Sequence, residues 1–185
     1  IVSFKDIEYE DQRTVLTAAL EGDWIFAILD KFYSDLTNAR EKQIGSKFLS
    51  GGLIVCKDQA SARTIKKLVD QRYGINACLV ISDLKEEGEN PHKKLDNFKE
   101  GSAPVLISVG MVSEGVDIQR LTHCLYLTTV LSSVFIWQVL GRIVRKMAPG
   151  IVETARMYRP ELPSFAEIAT QIENRSETRI GGASG

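Results

Sequence analysis

Strand and helix signals begin to alternate at residues 51–58, in the stretch Gly51-Gly52-Leu53-Ile54-Val55-Cys56-Lys57-Asp58. A short apolar run after a glycine pair predicts a buried strand. Asp58 can cap the helix that follows, because an aspartate at this position accepts hydrogen bonds from unpaired helical N–H groups. The stretch therefore predicts a strand that leads directly into a helix.

The same alternation continues along most of the chain. Apolar runs predict strands at 53–56, 77–81, 105–109 and 124–127, and helical patterns lie at 23–33, 58–73, 91–98 and about 133–145. Such alternation is typical of parallel βαβ units, and fully apolar strands are expected where helices cover both faces of a sheet. We therefore expect an α/β protein with a mostly parallel sheet, whose functional residues lie beyond the carboxyl ends of the strands.

Length and composition predict one compact domain with short extensions, since 44% of the 185 residues are apolar. We expect residues 1–22 to be a connector or N-terminal extension and residues 23–150 to form the α/β lobe. Residues 151–185 are expected to form a C-terminal helix and a flexible tail. Because the chain does not begin with methionine, we also expect it to be cut from a longer protein.

Charge, hydropathy and cysteine spacing limit the possible partners. The formal net charge is −1, so nucleic acid would have to bind at a local groove rather than through a basic field. The sequence contains no long apolar run of the kind that spans a membrane, which predicts a cytoplasmic protein without a membrane partner. Cys56, Cys78 and Cys124 lack metal-ligand spacing and predict reduced core thiols and no metal site. His92 and His123 receive no role.

The strongest functional pattern is the stretch Gln138-Val139-Leu140-Gly141-Arg142-Ile143-Val144-Arg145. In a helix, Gln138, Arg142 and Arg145 share one face, and two guanidiniums beside an amide are well suited to phosphate oxygens. Gly141 costs a helix about 1 kcal/mol relative to alanine, which is easier to understand if a ligand approaches the backbone there. The alternative is a solvated basic face.

Two further segments follow predicted strands. Residues 108–118 end in Glu-Gly-Val-Asp, where Gly115 permits a close backbone approach and Asp117 can accept a hydrogen bond from a ribose hydroxyl. Ser108 and Ser113 could hold nucleic-acid phosphates. Lys57 lies beside a helix N-terminus, a place suited to an anion. A tight turn with a capping aspartate and an ordinary strand-to-helix turn are the respective alternatives.

In order and spacing, these segments resemble motifs IV, V and VI of the superfamily 2 helicases. Residues 138–145 match the Q-x-x-G-R-x-x-R form of motif VI at every fixed position. Residues 109–118 resemble motif V, most closely its form in restriction-enzyme motor subunits and related DEAD/DEAH-type proteins, although Ser108 stands where many relatives carry threonine. Residues 53–58 resemble motif IV more loosely. The resemblance covers roughly residues 51–146.

The resemblance implies a RecA-like lobe of the P-loop NTPase type that closes on ATP held by another lobe. It implies that Arg142 and Arg145 are catalytic arginine fingers. The residues implied to contact nucleotide are Gln138, Gly141, Gly115 and Asp117. Those implied to contact the nucleic-acid strand are Lys57, Ser82, Ser108 and Ser113.

The departures from the family pattern concern the other half of the ATP site. The sequence has no G-x-x-x-x-G-K-[ST] phosphate loop and no Asp-Glu-x-Asp/His segment. We therefore expect the partner to be an N-terminal RecA-like lobe of the same parent chain, which holds ATP and Mg²⁺. The chain alone is expected to be inactive. The form of motif V favours DNA as the second partner, with RNA possible.

Two other functions fit parts of the sequence. A RecA-like lobe without catalysis could serve as a nucleic-acid or protein binding module, although the joint presence of Gln138, Arg142 and Arg145 argues against it. A flavodoxin-like nucleotide protein would need a glycine-rich phosphate loop after the first strand, and residues 57–59 do not form one.

Overall fold

The computed structural model describes residues 9–45, 49–82, 88–110, 118–143, 155–160 and 170. Two helices, α1 (Tyr9–Glu21) and α2 (Trp24–Glu41), precede the first strand. Three strands and two helices follow: β1 (Gly51–Cys56), α3 (Gln59–Tyr73), β2 (Cys78–Val80), α4 (Pro91–Lys99) and β3 (Val105–Val109). The last elements are β4 (Leu121–Leu127), α5 (Ser133–Ile143) and β5 (Arg156–Tyr158).

The five strands form one sheet in the order β2-β3-β1-β4-β5, and every neighbouring pair is parallel. β1 therefore lies at the centre, with Ile54 opposite Ile107 of β3 and Leu125 of β4. Every residue of β1 and of β4 is buried, as helices on both faces require. The predicted α/β class and parallel sheet are confirmed.

Side chains that alternate along β1 enter two apolar clusters, one on each face of the sheet. Leu53 and Val55 pack in a cluster with residues of α4 and α5, whereas Ile54 and Cys56 pack in a cluster with residues of α2 and α3. α2 lies very close to the sheet, because a Cβ atom on Gly52 would come 2.5 Å from Phe32 Cζ. Glycine at this position therefore allows the helix to approach the strand.

Two aspartates of α2 connect this helix to its neighbours. Arg72 of α3 donates two hydrogen bonds to Asp30, at 2.7 and 2.6 Å, and the Tyr73 hydroxyl donates a third at 2.8 Å. The hydrogen bonds from Arg72 and Tyr73 lower the pKa of Asp30 to about 2. On the other side, the Tyr158 hydroxyl of β5 donates to Asp35 at 2.8 Å. α2 is thus tied to the helix and strand that flank it.

Segments at both ends of the predicted lobe contribute to its fold. Residues 9–21 form helix α1 within the segment expected to be a connector or N-terminal extension, and Leu16 of this helix is fully buried in the cluster on the α5 face. Residues 156–158 form β5, so the sheet continues past the expected boundary at residue 150. The expected C-terminal helix and tail at residues 161–185 lie outside the described residues, apart from Thr170.

None of the helices in the described part of the chain is long and apolar enough to cross a membrane.

Candidate functional site

Because all five strands are parallel, their carboxyl ends lie along one edge of the sheet. Lys57 follows β1 at this edge and Ser82 follows β2, and both side chains are exposed. Gly110 follows β3 with a φ angle of +64°, a left-handed conformation that favours glycine. The structure therefore places Lys57 and Ser82 at the carboxyl edge, where the sequence predicted functional residues.

Asp58 caps α3, as the sequence predicted. Its carboxylate accepts a hydrogen bond from the Ser61 N–H at 2.7 Å, and its backbone is extended with φ −154°. This backbone hydrogen bond lowers the pKa of Asp58 below its usual range. Because a carboxylate already occupies the start of α3, the positive charge at this strand end comes from the side chain of Lys57 rather than from the helix N-terminus.

Ser108 is buried inside the sheet, so its hydroxyl is not exposed for the contact with a nucleic-acid strand that the sequence predicted. The residue sits inside β3, paired with Val55 of β1 on one side and Val80 of β2 on the other. Its side chain is 1% exposed, and its hydroxyl has no hydrogen-bond partner among the described residues. β3 continues through Val109, so the first accessible position after this strand is Gly110.

Several predicted site residues lie outside the described part of the structure. These are Ser113, Gly115 and Asp117 in the segment that resembles motif V, and Arg145 beyond the end of α5. Residue 142 belongs to α5, but the side chain of Arg142 is not described. The roles of these residues remain predictions.

Helix α5 carries the described part of the segment that resembles motif VI. Its buried positions are Ile136 and Val139, which pack in the cluster on that face of the sheet. Gln138 and Gly141 are exposed. A Cβ atom added to Gly141 would have no described atom outside the helix's own backbone within 4 Å. Val134 is 64% exposed on the same outward side. Leu140 is partly buried against the same cluster.

The connection from β4 to α5 is held by side chains that sequence reasoning did not single out. The Tyr126 hydroxyl donates to the main-chain carbonyl of Val130 at 2.5 Å. The Val130 N–H donates to Thr128 Oγ1 at 3.4 Å, and Leu131 is buried in the cluster below α5. The sequence gives no local signal for these contacts, because tyrosine and threonine are common in and beside strands whether or not they bind a loop.

A cavity of about 530 Å³ opens beside Lys57, on the α3 side of the sheet. The first turn of α2, the first half of α3 and the ends of β1 and β4 form most of its walls. The lining is mainly apolar, with Ile25, Phe26, Leu68 and Leu127, and also includes polar side chains such as Asp23 and Thr64. The cavity and helix α5 thus lie at the same edge of the sheet but on opposite faces.

The three cysteines lie in strands of the sheet: Cys56 in β1, Cys78 in β2 and Cys124 in β4. All three are free thiols, and burial raises the pKa values of Cys56 and Cys124 to about 12.

Burial lowers the pKa of His123 to about 4, and its Nδ1 lies 2.8 Å from Thr122 Oγ1 inside β4. Among the described residues, no group of three His, Cys, Asp or Glu side chains could hold a metal ion.

The fold is that of the RecA-like helicase lobes. The chain superposes on S. cerevisiae Dbp5 bound to RNA and ADP BeF3 with a TM-score of 0.51 and 19% identity, covering 80% of this chain and 36% of Dbp5. The Pyrococcus furiosus Hef helicase domain gives a TM-score of 0.50 at 18% identity, with 78% of this chain and 28% of that chain covered. T4 UvsW gives 0.51 at 13% identity, with 94% and 36% covered.

The sequence places the chain within a family. The model of the helicase conserved C-terminal domain matches residues 29–147, so the chain belongs to this family. It is 32% identical over 169 residues to the uncharacterized protein ML1624 of Mycobacterium leprae, covering 91% of this chain and 26% of that protein. With Rv2917 of Mycobacterium tuberculosis it shares 30% identity over 162 residues, covering 87% and 25%. The chain thus spans about a quarter of the length of these curated relatives.

Proposed function

We propose that this chain is the second motor lobe of an ATP-dependent helicase or translocase, and that it supplies arginine fingers and strand contacts to a first RecA-like lobe. The observation that carries the proposal is the placement of α5. This helix begins at the carboxyl edge of a parallel sheet and exposes Gln138 on its outward side. Residue 142 lies one helical turn further along, on the same side as Gln138 by the periodicity of the helix.

The composition of α5 supports a partner on its outward side. Apolar residues occupy most of its 11 positions, and Val134 is largely exposed. A helix that is apolar on all sides is normally buried on all sides. The first lobe would cover this surface and bring the ATP phosphates to Gln138, Arg142 and Arg145.

The chemistry of this chain in the closed cleft would be electrostatic. Mg²⁺ held by the first lobe would neutralise charge on the β- and γ-phosphates. The guanidiniums of Arg142 and Arg145 would donate hydrogen bonds to the oxygens on which negative charge is spread during transfer. Gln138 would donate its amide hydrogens to a phosphate oxygen, Gly141 would let the nucleotide approach the helix, and Gly115 and Asp117 would contact the nucleoside.

Nucleic acid would cross the carboxyl edge along the strand ends. The exposed side chains of Lys57 and Ser82 lie there, and a lysine contributes a sequence-independent contact to phosphate. Ser113 would add a hydroxyl contact from the motif V segment. We infer DNA as the usual substrate because this segment resembles the restriction-enzyme motor form, and RNA is the alternative.

The chain alone is expected not to hydrolyse ATP, because it has no phosphate loop to hold the nucleotide. Joined to a first lobe with that loop, it should turn over ATP faster when nucleic acid is added. Phosphate release with duplex DNA, single-stranded DNA and RNA would measure the effect. A joined protein that binds nucleic acid without any stimulated turnover would instead identify an inert binding module.

Lys57→Ala should weaken strand binding in the two-lobe protein, whereas Ser108→Ala should leave it unchanged. Lys57→Ala removes an exposed cation, so binding should weaken. The slope of the logarithm of the binding constant against the logarithm of the salt concentration should fall by the amount of about one phosphate contact. Ser108→Ala removes a buried hydroxyl for which the described residues offer no partner, so affinity should not change. Fluorescence anisotropy of labelled DNA at several salt concentrations tests both. Weaker binding in Ser108→Ala alone would contradict this assignment.

A further inference from the structure

The loop between β4 and α5 has one residue whose two main-chain polar groups are both held by side chains. The carbonyl of Val130 accepts from the Tyr126 hydroxyl at 2.5 Å, and its N–H donates to Thr128 Oγ1 at 3.4 Å. Tyr126 and Thr128 are themselves buried at the end of β4. The loop is therefore fixed to the strand at a point three residues before α5 begins.

Tyr126 also contacts the helix itself. Its ring lies edge-on to Phe135 in the first turn of α5, with the ring centroids 6.1 Å apart and the planes at 62°. Ile136, the next residue, is 1% exposed and packs in the same cluster as Tyr126. One side chain thus fixes both the loop that leads into α5 and the first turn of the helix.

We propose that Tyr126 is a positioning residue for ATP hydrolysis, acting through α5. The inference rests on the proposed function, because it needs Gln138 and Arg142 of α5 to face the ATP phosphates. Without the hydroxyl, the Val130 carbonyl loses its donor and the loop can relax away from β4. The helix would then shift relative to the sheet, and misplacement of a catalytic group by about 1 Å can cost on the order of 10²-fold in rate.

The chain offers a matched control for the loss of a tyrosine hydroxyl. Tyr158 donates its hydroxyl to Asp35 at 2.8 Å, on β5 and on the face of the sheet opposite α5. Tyr126→Phe and Tyr158→Phe remove the same atom and leave the ring in place. A loss of turnover caused only by a less stable protein would therefore follow both substitutions.

Amide hydrogen exchange in the two-lobe protein tests the structural step. Tyr126→Phe should speed exchange in α5 about fivefold to tenfold relative to α3, because one hydrogen bond that fixes the loop is lost. Tyr158→Phe should leave α5 unchanged. Equal exchange of α5 in wild type and Tyr126→Phe would overturn the positioning role, whatever the ATPase results are.

Steady-state ATPase measurements test the functional step. Tyr126→Phe should lower kcat about tenfold with little change in KM, since the first lobe holds the nucleotide, and Tyr158→Phe should retain normal kcat. In an Arg142→Ala background, Tyr126→Phe should have a smaller effect, because the part that acts through Arg142 is already lost. A normal kcat in Tyr126→Phe, or its full effect in that background, would overturn the proposal. Full turnover of Arg142→Ala alone would refute the proposed function and leave the exchange result as a separate finding.

Discussion

Replacing Arg142 or Arg145 by alanine in the two-lobe protein is expected to lower nucleic-acid-stimulated ATP hydrolysis by about 10³-fold or more, with the fold intact. An arginine supplied to a transferring phosphoryl group contributes roughly 10³–10⁵ in rate in known systems. The proposed role of both side chains is to contact phosphate rather than to pack in the core, so stability should change little. Phosphate release under saturating ATP, together with thermal unfolding of each variant, would measure the two effects separately.

The geometry of the guanidinium makes lysine a useful second substitution at residue 142. Arg142→Lys keeps the charge but loses the planar fork of donors, so most of the loss should remain. Arg156→Ala provides the matched control, because Arg156 is an exposed arginine on β5 and forms its ion pair with Asp35 at 3.3 Å. Near-normal turnover in both Arg142→Ala and Arg145→Ala would show that these side chains do not reach the γ-phosphate.

The central strands and their helices could be predicted from the sequence because their signals are local. The apolar run 53–56 and the capping Asp58 specify β1 and the start of α3 within a few residues, and the structure confirms both. Gly74 ends α3 in a left-handed conformation with φ +63°, and glycine at a helix end is a local stop signal of the same kind. Signals of this kind depend on neighbouring residues and not on the rest of the fold.

The elements that the sequence did not indicate depend on distant partners. β5 has only three residues, and its register is set by pairing Met157 with Cys124 of β4. Helix α1 has a weak apolar stripe, and it is Leu16 that enters the core on the α5 face. Neither position has a local pattern that distinguishes it from an irregular connection.

Within the candidate site, the sequence indicated which residues have suitable side chains, but it did not indicate which of these side chains are exposed. Lys57 and Ser108 both lie at or near strand ends in the sequence, yet one is exposed and the other is buried between two strands. The difference depends on where β3 ends relative to its neighbours, which is a property of the sheet register. The role of Tyr126 could not be predicted from the sequence either, because its contact with Val130 depends on the conformation of the loop between β4 and α5.

Replacing Arg120 by methionine is expected to lower the free energy of unfolding by about 3 kcal/mol, the largest stability loss we expect from a single polar side chain. Arg120 is 3% exposed and lies at the amino edge of the sheet, away from the candidate site. Its guanidinium donates to the main-chain carbonyls of Leu49 at 3.1 Å, Phe98 at 2.6 Å and Ala103 at 3.0 Å. It therefore joins three segments: the residues before β1, the connection from α4 to β3, and its own segment before β4.

Two effects oppose each other at Arg120, and the hydrogen bonds should dominate. Burial lowers the pKa of Arg120 to about 10, so the group is still charged at neutral pH and bears a desolvation cost that methionine would remove. Each hydrogen bond from a charged donor contributes about 1.5–3 kcal/mol, and methionine loses all three. The Phe98 carbonyl keeps the Gly101 N–H as a donor at 3.0 Å, which is why the expected loss is well below the sum.

Urea unfolding of Arg120→Met and of a control, Arg40→Met, would test this expectation. Arg40 is a half-buried arginine on α2 whose Nη1 donates one hydrogen bond, to the Ser50 carbonyl at 2.7 Å. Its loss should cost about 1 kcal/mol, partly offset because a positive charge near Arg120 is removed. Arg120→Lys should behave like methionine, since one ammonium cannot reach three carbonyls that a planar fork bridges. Equal losses in Arg120→Met and Arg40→Met would mean that the guanidinium does not hold these three segments together.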